Sequence, residues 1–166
     1  MRRTFEDARD WSAAGTRLFL GTVAGWGEEE YLAPSGLPGW TRKHLIAHVA
    51  ANADALGNLV RWAATGEPTP MYVSREQRNA DIEAGARKPA AELAAWLRES
   101  ADRLAAGITG LGPEQWNAEV VTAQGRTVPA TEILWMRSRE VFVHTVDLAA
   151  AVGFADLPAA FLAALA

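Results

Sequence analysis

Apolar residues recur at helical spacing through most of this chain, and glycine, proline and small capping residues divide the pattern into segments. Phe5, Ala8, Trp11, Leu18 and Phe19 mark a first helix from Phe5 to about Val23, after which "GWGEEE" and "PSGLPG" break the period. Thr41 is an N-cap, and "TRKHLIAHVAANADALGNLVRWAATG" then runs about six turns to a closing Gly66. The stretch from Glu67 to Pro89 is a long connection rich in proline and charge, within which Ser74 caps a short helix, "SREQRNADIEAGA". Pro89 opens a third long helix that ends near Ala106 with a stop at Gly107. Val120, Val121, Thr127 and Val128 lie among turn residues and predict a loop with a small hairpin. Pro129 opens the fourth long helix, which ends at Gly153, and Pro158 begins a further one. Four long helices without a strong strand signal predict an all-α four-helix bundle over 1–153, a fold whose facing helices supply metal and cofactor sites.

Composition narrows the chemistry. A chain of 166 residues, 49% hydrophobic, is enough for one domain with a sizeable core. A net charge of −4 with acids and bases interspersed offers no basic surface, so nucleic acid and membrane partners are not expected. There is no cysteine, which excludes disulfides, thiolate metal clusters and a cysteine nucleophile. The N-terminus lacks the apolar run of a signal peptide, and a cytoplasmic protein is the plain reading.

The polar residues inside the apolar pattern are the candidates for function. On a helical wheel of the fourth helix, Ile133, Met136, Glu140, His144, Asp147 and Ala151 share one face, flanked by Leu134, Val141, Leu148 and Val143. Glu140 and His144, one turn apart, therefore point inward, where burial is costly without compensation. On the second helix the stripe is Leu45, Val49, Leu56, Leu59 and Val60; His48 and Asn52 lie along it and His44 lies farther off. His48, Glu140 and His144 make a set of two imidazoles and one carboxylate, the pattern of a catalytic metal site with an open position. Such ligands suit zinc, and also iron, nickel or manganese. A di-iron bundle fits less well, since it wants two Glu-x-x-His motifs and this chain has one Glu-x-x-x-His. Spacing alone leaves a simple helix pair, or hydrogen-bonded core histidines without metal, as the alternative.

Three segments, "LPGWTRKHLIAHVAANADAL", "WAATGEPTPMYVSREQRNADIEAGA" and "TAQGRTVPATEILWMRSREVFVHTVDL", resemble the mycothiol-dependent maleylpyruvate isomerases, whose N-terminal part is a DinB-like bundle. The resemblance implies zinc held by His48, Glu140 and His144, and an arginine matching Arg78 that binds the anionic thiol cofactor or substrate. Without it, Arg78 reads as a solvated charge beside Glu76. Arg126 lies in the matched stretch without an assigned role, and Asp147 either orients a ligand or pairs with a neighbouring helix.

The implied activity converts maleylpyruvate to fumarylpyruvate in gentisate-type aromatic degradation. Mycothiol supplies the thiolate that the cysteine-free chain lacks. Its addition to the cis double bond leaves a single bond free to rotate. The implied partners are thus a small-molecule thiol and a small dicarboxylate. No side-chain base is identified, and no catalytic residue beyond the metal ligands. The family continues into a smaller C-terminal α/β region with a further arginine, so residues 154–166 are expected to begin a helix leading toward a region absent from this chain. The competing functions are a mycothiol-dependent S-transferase on the same bundle and a non-enzymatic metal-binding bundle.

Overall fold

The computed structural model describes residues 2–166. Four long helices form the bundle: α1 (Phe5–Val23), α3 (Arg42–Thr65), α5 (Ala90–Gly110) and α7 (Glu132–Asp147). α1 packs on α7, α7 on α3, α3 on α5 and α5 on α1, so the four close into a ring around the core. Shorter elements decorate it: α2 (Glu28–Leu32), α4 (Arg75–Ala86), α6 (Pro113–Trp116), the antiparallel hairpin β1 (Glu119–Val121) and β2 (Thr127–Pro129), and α8 (Ala159–Leu165). No helix among the described residues is long and apolar enough to cross a membrane.

Local sequence explains most boundaries. Thr41 caps α3 by accepting from the His44 backbone N–H, and the His44 ring accepts from the Thr41 N–H in return. This reciprocal cap accounts for a histidine lying off the apolar stripe. Ser74 caps α4 in the same one-way manner expected of it. The stripe residues Leu45, Val49, Leu56, Leu59 and Val60 are all buried.

Four boundaries differ from the sequence reading. α5 continues through Gly107 to Gly110. Gly107 is not a stop signal: a Cβ there would meet Val60 Cγ1 at 3.0 Å, so the glycine lets α5 lie close against α3. Pro129 pairs in the hairpin, and α7 starts only at Glu132. α7 ends at Asp147 rather than Gly153, because Ala149 adopts a left-handed conformation (φ 54°) and tertiary partners take up the terminal carbonyls. The Gly36 N–H bonds Asp147 O at 2.7 Å, and the Arg42 guanidinium bonds Leu148 O and Ala149 O. Ala151, expected on the inner face, therefore lies beyond the helix and is exposed. The glycine-rich segment after α1, read as a break, contains α2.

α4 carries the long connection's chemistry and is seated by Gly85. A Cβ at that position would lie 2.7 Å from the Ala47 Cβ and 3.1 Å from Trp96. Arg78 is two turns away on the same face of α4. Gly85→Val should therefore lower stability by about 1–3 kcal/mol through overpacking. The urea midpoint should fall with little change in slope, and an unchanged midpoint would show that α4 does not sit where the contact places it.

Candidate metal centre

α3 and α7 face one another, and their inner residues meet at the floor of a cavity of about 850 Å³. His48 Nε2 lies 2.9 Å from Glu140 Oε2, and His144 Nε2 lies 3.1 Å from the same oxygen. The two imidazoles are 4.9 Å apart and nearly perpendicular. One donor atom from each of the three residues falls within 4.8 Å of the others. In a tetrahedral zinc site with bonds of about 2.0–2.1 Å, ligand atoms stand about 3.3 Å apart, so this donor set fits a divalent cation.

The ring nitrogens turned away from Glu140 have opposite partners. His144 Nδ1 lies 2.9 Å from Asp147 Oδ2, an acceptor that fixes the proton on Nδ1 and directs Nε2 toward the centre. Asp147 is thus the orienting group, a role the sequence reading left undecided. His48 Nδ1 lies 3.0 Å from Arg78 Nη2. A guanidinium only donates, so this nitrogen accepts and the proton sits on Nε2, donated to Glu140.

Burial alone pushes the Glu140 carboxyl up. Hydrogen bonds from His144 and His48, with their charge, outweigh it and hold the group well below the usual carboxylate range. For His144, burial favours the neutral ring, but hydrogen bonds and charge from Glu140 and then Asp147 prevail and raise its pKa. Without a cation, His48 points its Nε2 proton at Glu140, and His144 does the same with a second proton when its ring is charged.

The two shifts predict a pH profile for chelator-treated protein. The Glu140 contribution is present above the ordinary carboxyl value of 4.5 and is lost as pH falls through its depressed folded value. The His144 contribution is complete below the ordinary histidine value of 6.5 and is lost as pH rises through its raised folded value. Urea midpoints of the metal-free protein should therefore be higher at about pH 6 than at about pH 8.5, and a midpoint that rises across this interval would contradict the pairing.

Arg78 reaches the cavity wall from α4, with Tyr72 5.7 Å from its guanidinium carbon. Burial pushes the Tyr72 phenol up, and the Arg78 charge and hydrogen bond oppose the shift only in part. Arg75 and Arg139 also line the cavity and are exposed. The tip of the hairpin, Val121 to Gln124, closes another side. Trp40 lies 5.7 Å from the His48 ring and 6.1 Å from His44. His44 bonds Thr41 and Glu83 and takes no part in the centre. Arg126 sits exposed at the hairpin turn. The sequence reading did not single out Arg137, which is 2% exposed. Its spacing carries a signal: Arg137 lies three residues after Leu134 and four before Val141, between Glu140 and the apolar flank on the helical wheel.

A profile of the family described as mycothiol maleylpyruvate isomerase N-terminal domain matches residues 12–149. The chain belongs to that family. The match spans α3, α4 and α7, the elements that bear His48, Arg78 and the Glu140/His144 pair. A crystal structure of the mycothiol-dependent maleylpyruvate isomerase is 45% identical, with a TM-score of 0.95 over 98% of this chain and 68% of that one. The structure of a histidine-to-alanine mutant of that isomerase aligns with a TM-score of 0.94 at the same identity and coverage. No curated protein sequence matches the chain.

Proposed function

We propose that this protein is a zinc-dependent, mycothiol-dependent isomerase that converts maleylpyruvate to fumarylpyruvate. The observation that carries the reading is the convergence of His48 Nε2 and His144 Nε2 on one Glu140 oxygen, at 2.9 and 3.1 Å, on the floor of a cavity walled by Arg78. The 45% identity to the named isomerase supports the choice of substrate and thiol.

When bound, the cation supplies a Lewis-acidic open position at which a thiol loses its proton and becomes the nucleophile that makes a conjugated cis double bond rotatable. The chain's own residues do the rest. His48, Glu140 and His144 hold the cation, and Asp147 keeps the His144 ring turned toward it. Arg78 offers a paired set of donors to a substrate or cofactor carboxylate. Trp40 packs over His48 and limits water around it. Since no cysteine is present, the thiol comes from the cofactor.

The test is direct. Protein purified without a nickel column is analysed for metal, and loss of maleylpyruvate is followed by absorbance with and without mycothiol. The reading expects about one zinc per chain and turnover only when the thiol is present. Absence of stoichiometric metal, or turnover indifferent to the thiol, would sink it.

A further inference from the structure

Behind the floor of the cavity lies a guanidinium that the proposed metal centre does not use. Arg137 is 2% exposed, and burial pushes its pKa down to about 10. Its Nη1 donates to Val49 O at 3.2 Å and to Asn52 Oδ1 at 3.3 Å, while its Nε has no partner. Burying a guanidinium with an unmet donor is costly, and an apolar side chain would pack the same space with less penalty. What the arginine achieves there is a fixed orientation of Asn52.

We propose that Asn52 is a catalytic donor whose amide N–H pair, aimed into the cavity by Arg137, binds the anionic oxygen of a small carboxylate substrate. Because a guanidinium has no acceptor, the atom facing Arg137 must be the amide oxygen, and the Asn52 nitrogen must face the other way. Asn52 is 5% exposed and lines the cavity together with His48 and Glu140. Among the described residues, its nitrogen has no protein hydrogen-bond partner, yet the only sealed side-chain polar atom left unpaired is Arg137 Nε. The amide nitrogen therefore opens onto the cavity. His48 and Asn52 are one turn apart on the same face of α3, so the donor stands beside the proposed metal ligand.

This rests on the isomerase reading and deepens it. When the thiolate adds to the double bond of the substrate, an electron pair moves onto the conjugated carbonyl oxygen, and it returns when the double bond re-forms and the thiolate leaves. The amide N–H groups stabilise that oxygen's charge while it exists and transfer no atom. A neutral, prealigned donor needs no reorganisation to do so. Arg137 does not touch the substrate; it is a positioning residue acting through Asn52.

The experiment uses the full chain with Asn52→Ala and Asn52→Asp. The second keeps the shape and the bond to Arg137 and removes both N–H donors. Both should retain zinc while kcat falls about 10²-fold or more; Asn52→Asp should keep the thermal midpoint of wild type, and Asn52→Ala, which takes an acceptor from buried Arg137, should lower it. Maleate, a cis dicarboxylate used as a stable probe, should bind roughly ten- to a hundredfold more weakly by calorimetry. If Asn52→Ala keeps kcat and maleate affinity within about twofold of wild type, the proposal is overturned, even if the aspartate variant is impaired by repulsion. If wild type shows no isomerisation, the function reading fails by itself, and the maleate titration alone then decides about Asn52.

Arg137→Met should reproduce the loss seen in Asn52→Ala, and the double variant should be no worse than either single one. Additive losses would overturn the positioning role. Should Arg137→Met fail to fold, Arg137→Lys enters the same cycle, with the same two outcomes.

Discussion

Glu140→Gln is expected to lose the divalent ion and thiol-dependent turnover together. Glutamine preserves size and shape but removes the only negative charge among the three proposed ligands, and a neutral amide oxygen is a poor donor to a divalent cation. Structural zinc binding is worth about 10–16 kcal/mol in small four-ligand sites, so one ligand carries roughly 2.5–4 kcal/mol, or about 10²–10³ in affinity. The fold should survive, because α7 is held by apolar contacts of Ile133, Leu134, Val141 and Phe142 that the substitution leaves alone. Competition with a chromophoric chelator measures the affinity, and circular dichroism checks the helices. A variant that kept stoichiometric metal at wild-type affinity would show that Glu140 is a hydrogen-bonding partner of His48 and His144 and nothing more.

Arg78→Met is expected to move two quantities in opposite directions. Methionine keeps much of the side-chain length and apolar stem while removing every donor. Catalytic efficiency should fall about 10²-fold or more, the usual consequence of removing one half of a desolvated charge pair with a substrate carboxylate. Metal affinity should rise, by up to about tenfold. The reason lies in the 3.0 Å contact between Arg78 Nη2 and His48 Nδ1. Ligation through Nε2 needs the ring proton on Nδ1, where it would confront a group that can only donate. Arg78 as placed here favours the tautomer that binds no cation, and its removal lifts that opposition. Weaker metal binding in the variant would instead make Arg78 a support for the His48 ring.

Much of this was legible in the residues themselves. Thr41 and Ser74 cap helices because their hydroxyls can accept a local N–H, a property that depends on a few neighbouring residues only. The apolar stripe of α3 and the placement of Glu140 one turn before His144 follow from helical period alone. The features that were missed are those in which one side chain's meaning is set by a distant backbone. Gly107 read as a terminator because the nearness of Val60 is not written beside it. The end of α7 at Asp147 depends on Gly36 and Arg42, more than a hundred positions earlier.

The sequence by itself determined the four long helices, the inward faces of α3 and α7 and a short set of residues able to bind a cation. Helical geometry is local, so a spacing of four suffices to place two side chains on one face. Only the tertiary structure brought His48 to Glu140 across 92 positions of chain, gave His144 an acceptor and His48 a donor on the outer ring nitrogen, and buried Arg137 behind Asn52. Those contacts depend on how α3, α4 and α7 pack. That packing is the sum of many weak apolar contacts spread along the chain, and no short stretch of sequence records it.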